Sequence, residues 1–460
     1  MDEPAERPGP RKRALVLWLS GRAKRELYAW VAAEVSRVAS SCDLVIGFGP
    51  ERSGIDMVFE GIEHVRKSTV VSPGPGAFGA EGDATLVLLN GNLNSSSDVQ
   101  GLLEGVRPFL SRRSRVAAVI YNPYLSWLYR LADRFGLRDG PPATTFLTRV
   151  SLEGLARLSG YEVVRYRPAA FVPFRLLGIG TLLNMVLPAV PGLRWLGLVT
   201  VALLRPRPAG GARRPSLSIV IPARNEKGNV EAALERLPSF GAPVEVLFVE
   251  GHSTDGTWEE IERVAAAWGD RAGLVVRAFR QPGVGKADAV RLGFSEATGD
   301  LVTILDADLT MPPELLPRFY EAWVSGVADF VNGSRLVYPM EGESMRFLNR
   351  IGNVAFAKAL SFVVDAPFSD TLCGTKLLAR ADAERLAAWR REFGDFDPFG
   401  DFELLFPAAS LGLGTVDVPI AYRARTYGAT NISRFRHGLQ LLRMTLVGLF
   451  RLKLATRPRR

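Results

Sequence analysis

Asp306-Ala-Asp308 closes the apolar run Leu301-Val-Thr-Ile-Leu305. Paired carboxylates at the end of a buried strand can hold a divalent cation through hard oxygen ligands, which suits Mg²⁺ or Mn²⁺. Such a cation completes its shell with a diphosphate and neutralises the negative charge of that group as it departs. Ordinary surface loops also contain Asp-x-Asp, so its meaning depends on its neighbours. Upstream, Gly283-Val-Gly-Lys-Ala-Asp288 opens a helical stretch whose first N–H groups, together with Lys286, can meet phosphate. Ser218-Ile-Val-Ile-Pro-Ala-Arg-Asn-Glu226 runs from a strand into a polar turn. Val246-Leu-Phe-Val-Glu-Gly-His-Ser-Thr-Asp-Gly-Thr257 is a strand, a tight turn and a helix start, where Ser253 or Asp255 can serve simply as a cap.

Positioning these residues requires strands that stop where the chemistry begins. Short apolar runs at Leu217 to Pro222, Val244 to Glu250, Leu274 to Ala278 and Leu301 to Leu305 read as strands, separated by helical stretches at Asn229 to Leu237, Thr257 to Trp268 and Ala287 to Ala297. Each run ends at polar or glycine residues, where open α/β sheets bind their ligands. The same alternation precedes Arg205-Pro-Arg-Pro-Ala-Gly-Gly-Ala-Arg-Arg-Pro215, a linker by composition. The expected organisation is an α/β domain at 1–204, a linker at 205–215, a second α/β domain at 216–436, and a basic apolar helix and tail at 437–460.

A net charge of +9 over 460 residues favours an anionic partner. A membrane surface and a phosphorylated substrate are expected here, and nucleic acid is not. Cys42 and Cys373 are the only cysteines, and His64, His252 and His437 are scattered, which argues against a disulfide framework and a His-cluster zinc site. Arg11-Lys12-Arg13 and the following apolar stretch make a poor leader, because Arg22, Lys24 and Arg25 follow at once. Leu176 to Leu193 carries no charge, but Asn184, Pro188, Pro191 and Gly192 interrupt it. The region 171–204 is therefore expected to form helices and a last strand of the first domain, touching a membrane at most from one side. His437 to Lys453 mixes apolar residues with Arg443, Arg451 and Lys453 and can lie flat on an anionic membrane or dock on its own domain. The expected location is cytoplasmic, peripheral on the membrane face.

In order and spacing the second half resembles the family 2 glycosyltransferases of GT-A fold, particularly the polyprenyl-phosphate, dolichyl-phosphate mannose synthase-like branch. The matching elements are Ile221 to Glu226, Glu250 with Ser253-Thr-Asp-Gly256, Gly285-Lys286, Gly299-Asp300, Asp306-Ala-Asp308, Ser369 to Lys376, Gly400-Asp-Phe-Glu-Leu404 and Arg425 to Asn431. The resemblance implies a nucleotide-sugar donor, with Pro222, Ala223, Asn225 and Glu226 lining the nucleotide pocket. Glu250 stands where the family usually has an aspartate on the base or ribose, one methylene shorter. Lys286 would meet donor phosphate, Asp288 would touch the nucleotide, and Asp306 and Asp308 would reach the diphosphate through the metal. Thr310 falls where lipid-phosphate members can complete the metal site.

On the acceptor side the resemblance implies that Asp370, Gly374, Thr375 and Lys376 lie near the acceptor, with Lys376 on its phosphate. Arg425 would be a phosphate ligand, although Asn431 replaces the family's usual lysine in that loop. Arg434 and Arg436 follow where a lipid phosphate would sit. Asp401, with Glu403 close by, stands near the acceptor-activating carboxylate of many inverting members. Capping of its own helix is the plainer use of Asp401, and a phosphate acceptor needs no base.

From about Asp98 to Pro208 the chain resembles the C-terminal half of a class I, S-adenosylmethionine-type methyltransferase, through Asp98 to Leu103, Arg115 to Asn122, Leu155 to Val164 and Leu198 to Leu204. The cofactor half departs from that pattern. Gly47-Phe-Gly-Pro-Glu51 offers two glycines with Pro50 behind them, Asp56 follows too soon for a strand–helix–strand unit, and Pro73 to Gly79 precedes no helix. A Rossmann-like, degenerate domain that does not bind S-adenosylmethionine is expected. The sequence thus points to an inverting hexosyltransferase using a nucleotide sugar and Mg²⁺ or Mn²⁺, with a polyprenyl or other lipid phosphate as acceptor. Its rivals are a bifunctional methyltransferase–glycosyltransferase and a non-catalytic binding scaffold.

Overall fold

The computed structural model describes residues 10–48, 54–63, 65–70, 83–135, 141–208, 213–268, 273–338, 347–389, 400–423, 427, 434–454 and 457–458. The chain divides into two compact units, Met1–Arg207 with Leu452–Arg460, and Pro208–Arg451. Both are α/β.

In the first unit the strands are β1 (Leu44–Phe48), β2 (Arg66–Val70), β3 (Thr85–Asn90), β4 (Arg115–Tyr121), β5 (Tyr161–Ala170) and β6 (Val199–Pro206). They form a six-stranded sheet in the order β2-β1-β3-β4-β6-β5. Strands β1 to β4 are parallel, and β6 runs antiparallel to both its neighbours. Parallel strands covered on both faces are apolar throughout. Accordingly Leu86 and Leu88 of β3 face a core with Trp30, Val31, Val35 and Val38 of the helix Pro10–Ala39. Val87 and Leu89 face the opposite core with Leu103, Val106, Leu152 and Ala156.

Three expectations for this unit change. The linker does not begin at Arg205, which lies within β6, fully buried and 2.6 Å from Glu162. Gly47 is part of β1 and lies under the side chains of Ile55 and Phe59, so its lack of a Cβ serves helix packing. Gly49 to Glu51 and Pro73 to Gly79 lie outside the described residues. Lys453, expected in a terminal helix that lies on a membrane or docks on the second domain, is buried with Leu452 in the first unit. The Leu452 carbonyl accepts from Arg37 and from Arg167, each at 2.5 Å, and the Lys453 carbonyl accepts from Arg167 at 3.0 Å. Donors from distant parts of the chain thus satisfy the carbonyls at this helix end.

In the second unit the strands are β7 (Leu217–Ala223), β8 (Val244–Glu250), β9 (Leu274–Arg280), β10 (Leu301–Ile304), β11 (Phe330–Ser334), β12 (Lys376–Ala379) and β13 (Thr415–Pro419). The seven-stranded sheet has the order β13-β11-β12-β10-β7-β8-β9. Here β12 is the antiparallel strand, paired to β10 on one side and β11 on the other. That reversal matters for the site. Thr303 pairs with Leu377, so the residues just before β12 arrive at the carboxyl end of β10. The apolar face built on Ile219, Ile221, Val246 and Phe248 packs against Val230, Ile261, Val264, Leu316 and Phe319.

Candidate active site

The carboxyl ends of β7, β8, β10 and β11 and the entry to β12 meet along one edge of the second sheet. At its centre the Lys286 ammonium, on the first turn of the helix Lys286–Glu296, is ion-paired with the Asp306 carboxylate. A Cβ on Gly374 would run into both groups, so a larger residue there would displace the Lys286 and Asp306 side-chain ends from their present places. Burial alone would lower the Lys286 ammonium, but the carboxylates of Asp306 and Asp401 hold it well above the ordinary lysine range. On Asp306 burial pushes upward, and Lys286 more than reverses this by charge and hydrogen bond, with Lys376 and Arg335 adding to the fall.

Asp308 is turned by its own loop. Its Oδ1 accepts from the Thr310 N–H at 3.1 Å and from the Thr310 hydroxyl at 2.8 Å. Thr310 therefore orients Asp308 in this structure. Among the described residues no group of three or more His, Cys, Asp or Glu forms a metal cage. Two carboxylates fit a cation that draws its other ligands from a substrate diphosphate and water, as Mg²⁺ commonly does.

Two further acid–base pairs stand beside this one. Lys376, expected at the acceptor phosphate, is fully buried, donating to Asp401 at 2.7 Å and to the Cys373 carbonyl. The correction has a plain cause. Lys376 opens the interior strand β12, so its ammonium must find partners inside the protein. Asp401, at the start of the helix Asp401–Ser410, is thereby fixed beside Lys286, and both line an apolar cavity of about 400 Å³ with Val290, Phe294, Leu386 and Leu404. The second pair is Arg335 and Asp370, in two-point contact at 2.7 and 3.0 Å. Burial raises the Asp370 carboxyl and Arg335 outweighs it, leaving it below the ordinary range. The Asn332 amide then links the Asp370 carbonyl to Asp417, each at 2.7 Å. Burial of the Cys373 thiol in this cluster pushes it up to about 12.

At the ends of β7 and β8 the turn residues tie to one another. Asn225, with a left-handed backbone, accepts from the Thr254 N–H at 2.8 Å and donates its own N–H to Ser253 at 3.0 Å. Glu226 is buried and accepts from the Asn229 amide at 2.7 Å. The buried Glu250 accepts from the Ser253 N–H. Pro222 and Ala223 close β7, with Ala223 buried. Asp255 accepts from the Thr257 N–H at 3.1 Å, so the Ser-Thr-Asp-Gly turn does cap its helix. Asp288, expected on the nucleotide, closes its own glycine turn in this structure, accepting from the Gly283 N–H at 2.9 Å. Glu403 is engaged by Arg291 at 2.9 and 3.1 Å. Arg425 lies outside the described residues, as do the side chains of Arg434 and Arg436. In that loop Tyr427 is described, and its hydroxyl donates to Asp255 at 3.3 Å.

Arg335 carries no sequence signal. It follows an ordinary strand, and its partner stands thirty-five residues away. Only the β11–β12 pairing makes it part of the site.

The glycosyl transferase family 2 model matches residues 218–386. A dolichyl-phosphate hexose transferase of Haloferax volcanii is 32% identical over 225 residues, covering 48% of this chain and 89% of that protein. The dolichol-phosphate mannosyltransferase of Pyrococcus furiosus is 33% identical over 137 residues, 29% of this chain and 37% of that one. An undecaprenyl-phosphate 4-deoxy-4-formamido-L-arabinose transferase of Aeromonas hydrophila is 37% identical over 114 residues, 24% of this chain and 34% of its own. The match spans about a third of the length of these last two relatives. The second unit is thus of a glycosyltransferase class, with its carboxylates at the strand ends. The chain belongs to glycosyl transferase family 2.

The Arg335–Asp370 pair yields a test of how the edge is held. Asp370→Asn should destabilise the second unit by about 3–5 kcal/mol at neutral pH, because it leaves a guanidinium buried without its carboxylate. The folded-state pKa of Asp370 lies below its unfolded value of about 3.9, so the pair stabilises fully above that range and its contribution fades as pH falls further. Urea unfolding of both proteins across acid pH should show the gap closing below about pH 3.9. A gap that widens on acidification would contradict this reading.

Proposed function

We propose that the second unit is a GT-A-type domain that transfers a sugar from a nucleotide-sugar donor to a polyprenyl phosphate, with inversion and with Mg²⁺ or Mn²⁺. The observation that carries this reading is the meeting of Asp306, Asp308, Lys286, Gly374 and Asp401 at one sheet edge, in a family whose relatives are named for dolichyl and undecaprenyl phosphates. Asp306 and Asp308 would hold the cation, with Thr310 keeping Asp308 turned toward it. The cation, when bound, supplies charge neutralisation of the departing nucleoside diphosphate. Lys286 can turn from Asp306 to the diphosphate without leaving the cluster. Pro222, Ala223, Asn225, Glu226 and Glu250 bound the nucleotide end, their turns preset by mutual hydrogen bonds. Asp288 acts through the Gly283 loop.

Asp401 faces the acceptor side. A phosphate acceptor is already anionic near neutral pH, so Asp401 positions it and need not remove a proton. Lys376 acts on the acceptor only through Asp401, and phosphate contact falls to Arg425, Arg434 and Arg436. The domain organisation is read as an N-terminal unit, a short connector after Pro206 and the transferase unit. We read the protein as peripheral at a membrane. The helix Arg434–Gly448 supports this by leaving Leu439, Leu442 and Leu446 exposed while burying Leu441 and Met444.

The first unit is read as a methyltransferase-like scaffold that does not use S-adenosylmethionine. Support comes from Gly47, whose place is filled by Ile55 and Phe59 where such an enzyme would bring its backbone up to the cofactor. Calorimetric titration with S-adenosylmethionine should give no heat, and saturable heat would overturn that reading. For the transferase, Asp308→Ala should lower transfer by about 10³-fold or more while the far-ultraviolet circular dichroism and melting temperature stay unchanged. Excess chelator should abolish activity of the native protein, and Mn²⁺ should restore it. Full turnover under chelator would remove the metal from the account.

A further inference from the structure

The carboxyl edge of the first sheet carries a surface of the opposite character to the site above. Strand β4 leads there into the helix Ser126–Arg134, β5 leads into residues 171–198, and β6 starts from them. Along 174–179 every residue is exposed. Leu176 and Leu177 both adopt left-handed backbone, and Leu177 is 107% exposed. Left-handed backbone is disfavoured for a residue with a Cβ, and here it holds two leucines outward.

The helix Ile179–Val186 that follows is inside out. Its polar residue, Asn184, is buried, accepting from the Phe171 and Val172 N–H groups at 2.8 and 2.9 Å and donating to the Val172 carbonyl at 2.8 Å. Gly180 is buried beside it, and a Cβ there would strike the Phe174 carbonyl. Ile179, Leu182 and Val186, spaced as one helical stripe, face outward. Trp195 and Leu196 extend the exposed surface. Asn122 donates to the carbonyls of Trp195 and Gly197 at 2.7 Å each, which brings the next helix alongside. That helix turns Trp127 and Leu131 outward, and Tyr124 just before it and Phe135 just after it are exposed as well.

We propose that this edge is a membrane-insertion surface, seated flat in the headgroup and upper acyl region of an anionic bilayer. Charge selects this occupant. Residues 171–198 contain Arg194 and Arg175, the latter ion-paired with Glu26 at 2.7 Å yet 62% exposed, and no acid of their own, and Arg130 and Arg134 flank Asp133 on the neighbouring helix. A second copy of the chain would set these arginine rims against each other, whereas anionic headgroups complement them. Trp127, Tyr124 and Trp195 are the amphipathic rings that favour the membrane–water boundary. Spanning is not available to this surface. An eight-residue helix is about 12 Å long, and no helix among the described residues is long and apolar enough to cross a membrane.

The test is co-sedimentation of the full chain with phosphatidylcholine–phosphatidylglycerol vesicles. The wild type should bind and should bind less as salt rises. Leu177→Glu combined with Leu182→Glu should weaken binding by about tenfold or more. Leu177→Glu alone changes a fully exposed side chain, so it keeps the comparison interpretable should the double variant fold poorly. Quenching of the wild-type tryptophan fluorescence by brominated lipids should accompany binding. Absence of wild-type binding, or unchanged binding in the variants, would overturn the proposal. So would a monomer–dimer shift on gel filtration that accounts for the variants' behaviour without vesicles. The inference draws on the lipid-acceptor reading for its context but fails separately from it. If the wild type transfers sugar to detergent-dispersed polyprenyl phosphate yet ignores vesicles, only the insertion surface falls.

Discussion

Two carboxylates at the end of a buried strand repel each other and lose hydration, and the second unit is arranged to bring cations to them. Lys286 reaches Asp306 directly, while Lys376 and Arg335 act on it from the next strands. Each of those cations has its own carboxylate, Asp401 and Asp370. The edge is thus an alternating array of charge in which no member is easily removed, since stranding one buried charge costs more than the pair contributes. The same array is preset for substrate. Oxyanions entering it exchange partners within a field already organised for them, and little reorganisation is required as charge develops.

The antiparallel strand β12 makes this possible. A parallel strand at that position would place Gly374 to Lys376 at the far edge of the sheet. Because β12 runs against β10 and β11, its first residues arrive where those strands end. Gly374 then lies against the paired Lys286 and Asp306 without a side chain, and Lys376 turns inward to Asp401. Position in the fold, more than residue type, decides which lysine is available to a substrate. Lys286 is half-exposed at a helix start, and Lys376 is sealed in the sheet.

This explains what was legible in the sequence. The strand before Asp306 announces itself because Leu301 to Leu305 is apolar and stops at a carboxylate, and the runs Leu217 to Pro222 and Val244 to Glu250 likewise lead into polar turns. Local signals of this kind, including the Asp255 turn at a helix start, need only a few neighbouring residues. The Arg335–Asp370 and Lys376–Asp401 pairs could not be read in advance, because each depends on strand order across twenty-five residues or more. Asp288 has a local use beside the one expected of it. Its motif resembles a ligand-binding turn, yet its carboxylate closes the turn itself. In the first unit the helix Ile179–Val186 ends just before Pro188, as expected, but Asn184 does not interrupt it, and the burial of Asn184 with Leu182 outward has no periodic signature to distinguish it from a core helix.

The central claim is that a divalent cation and a nucleoside diphosphate bind together at the Asp306–Asp308 edge. Calorimetric titration of the full chain with UDP, GDP and dTDP, each with Mn²⁺ and each with chelator, measures this directly. At least one diphosphate should bind with Mn²⁺ and lose about tenfold or more of its affinity under chelator. Equal affinity with and without the metal, or no binding by any of the three, would contradict it.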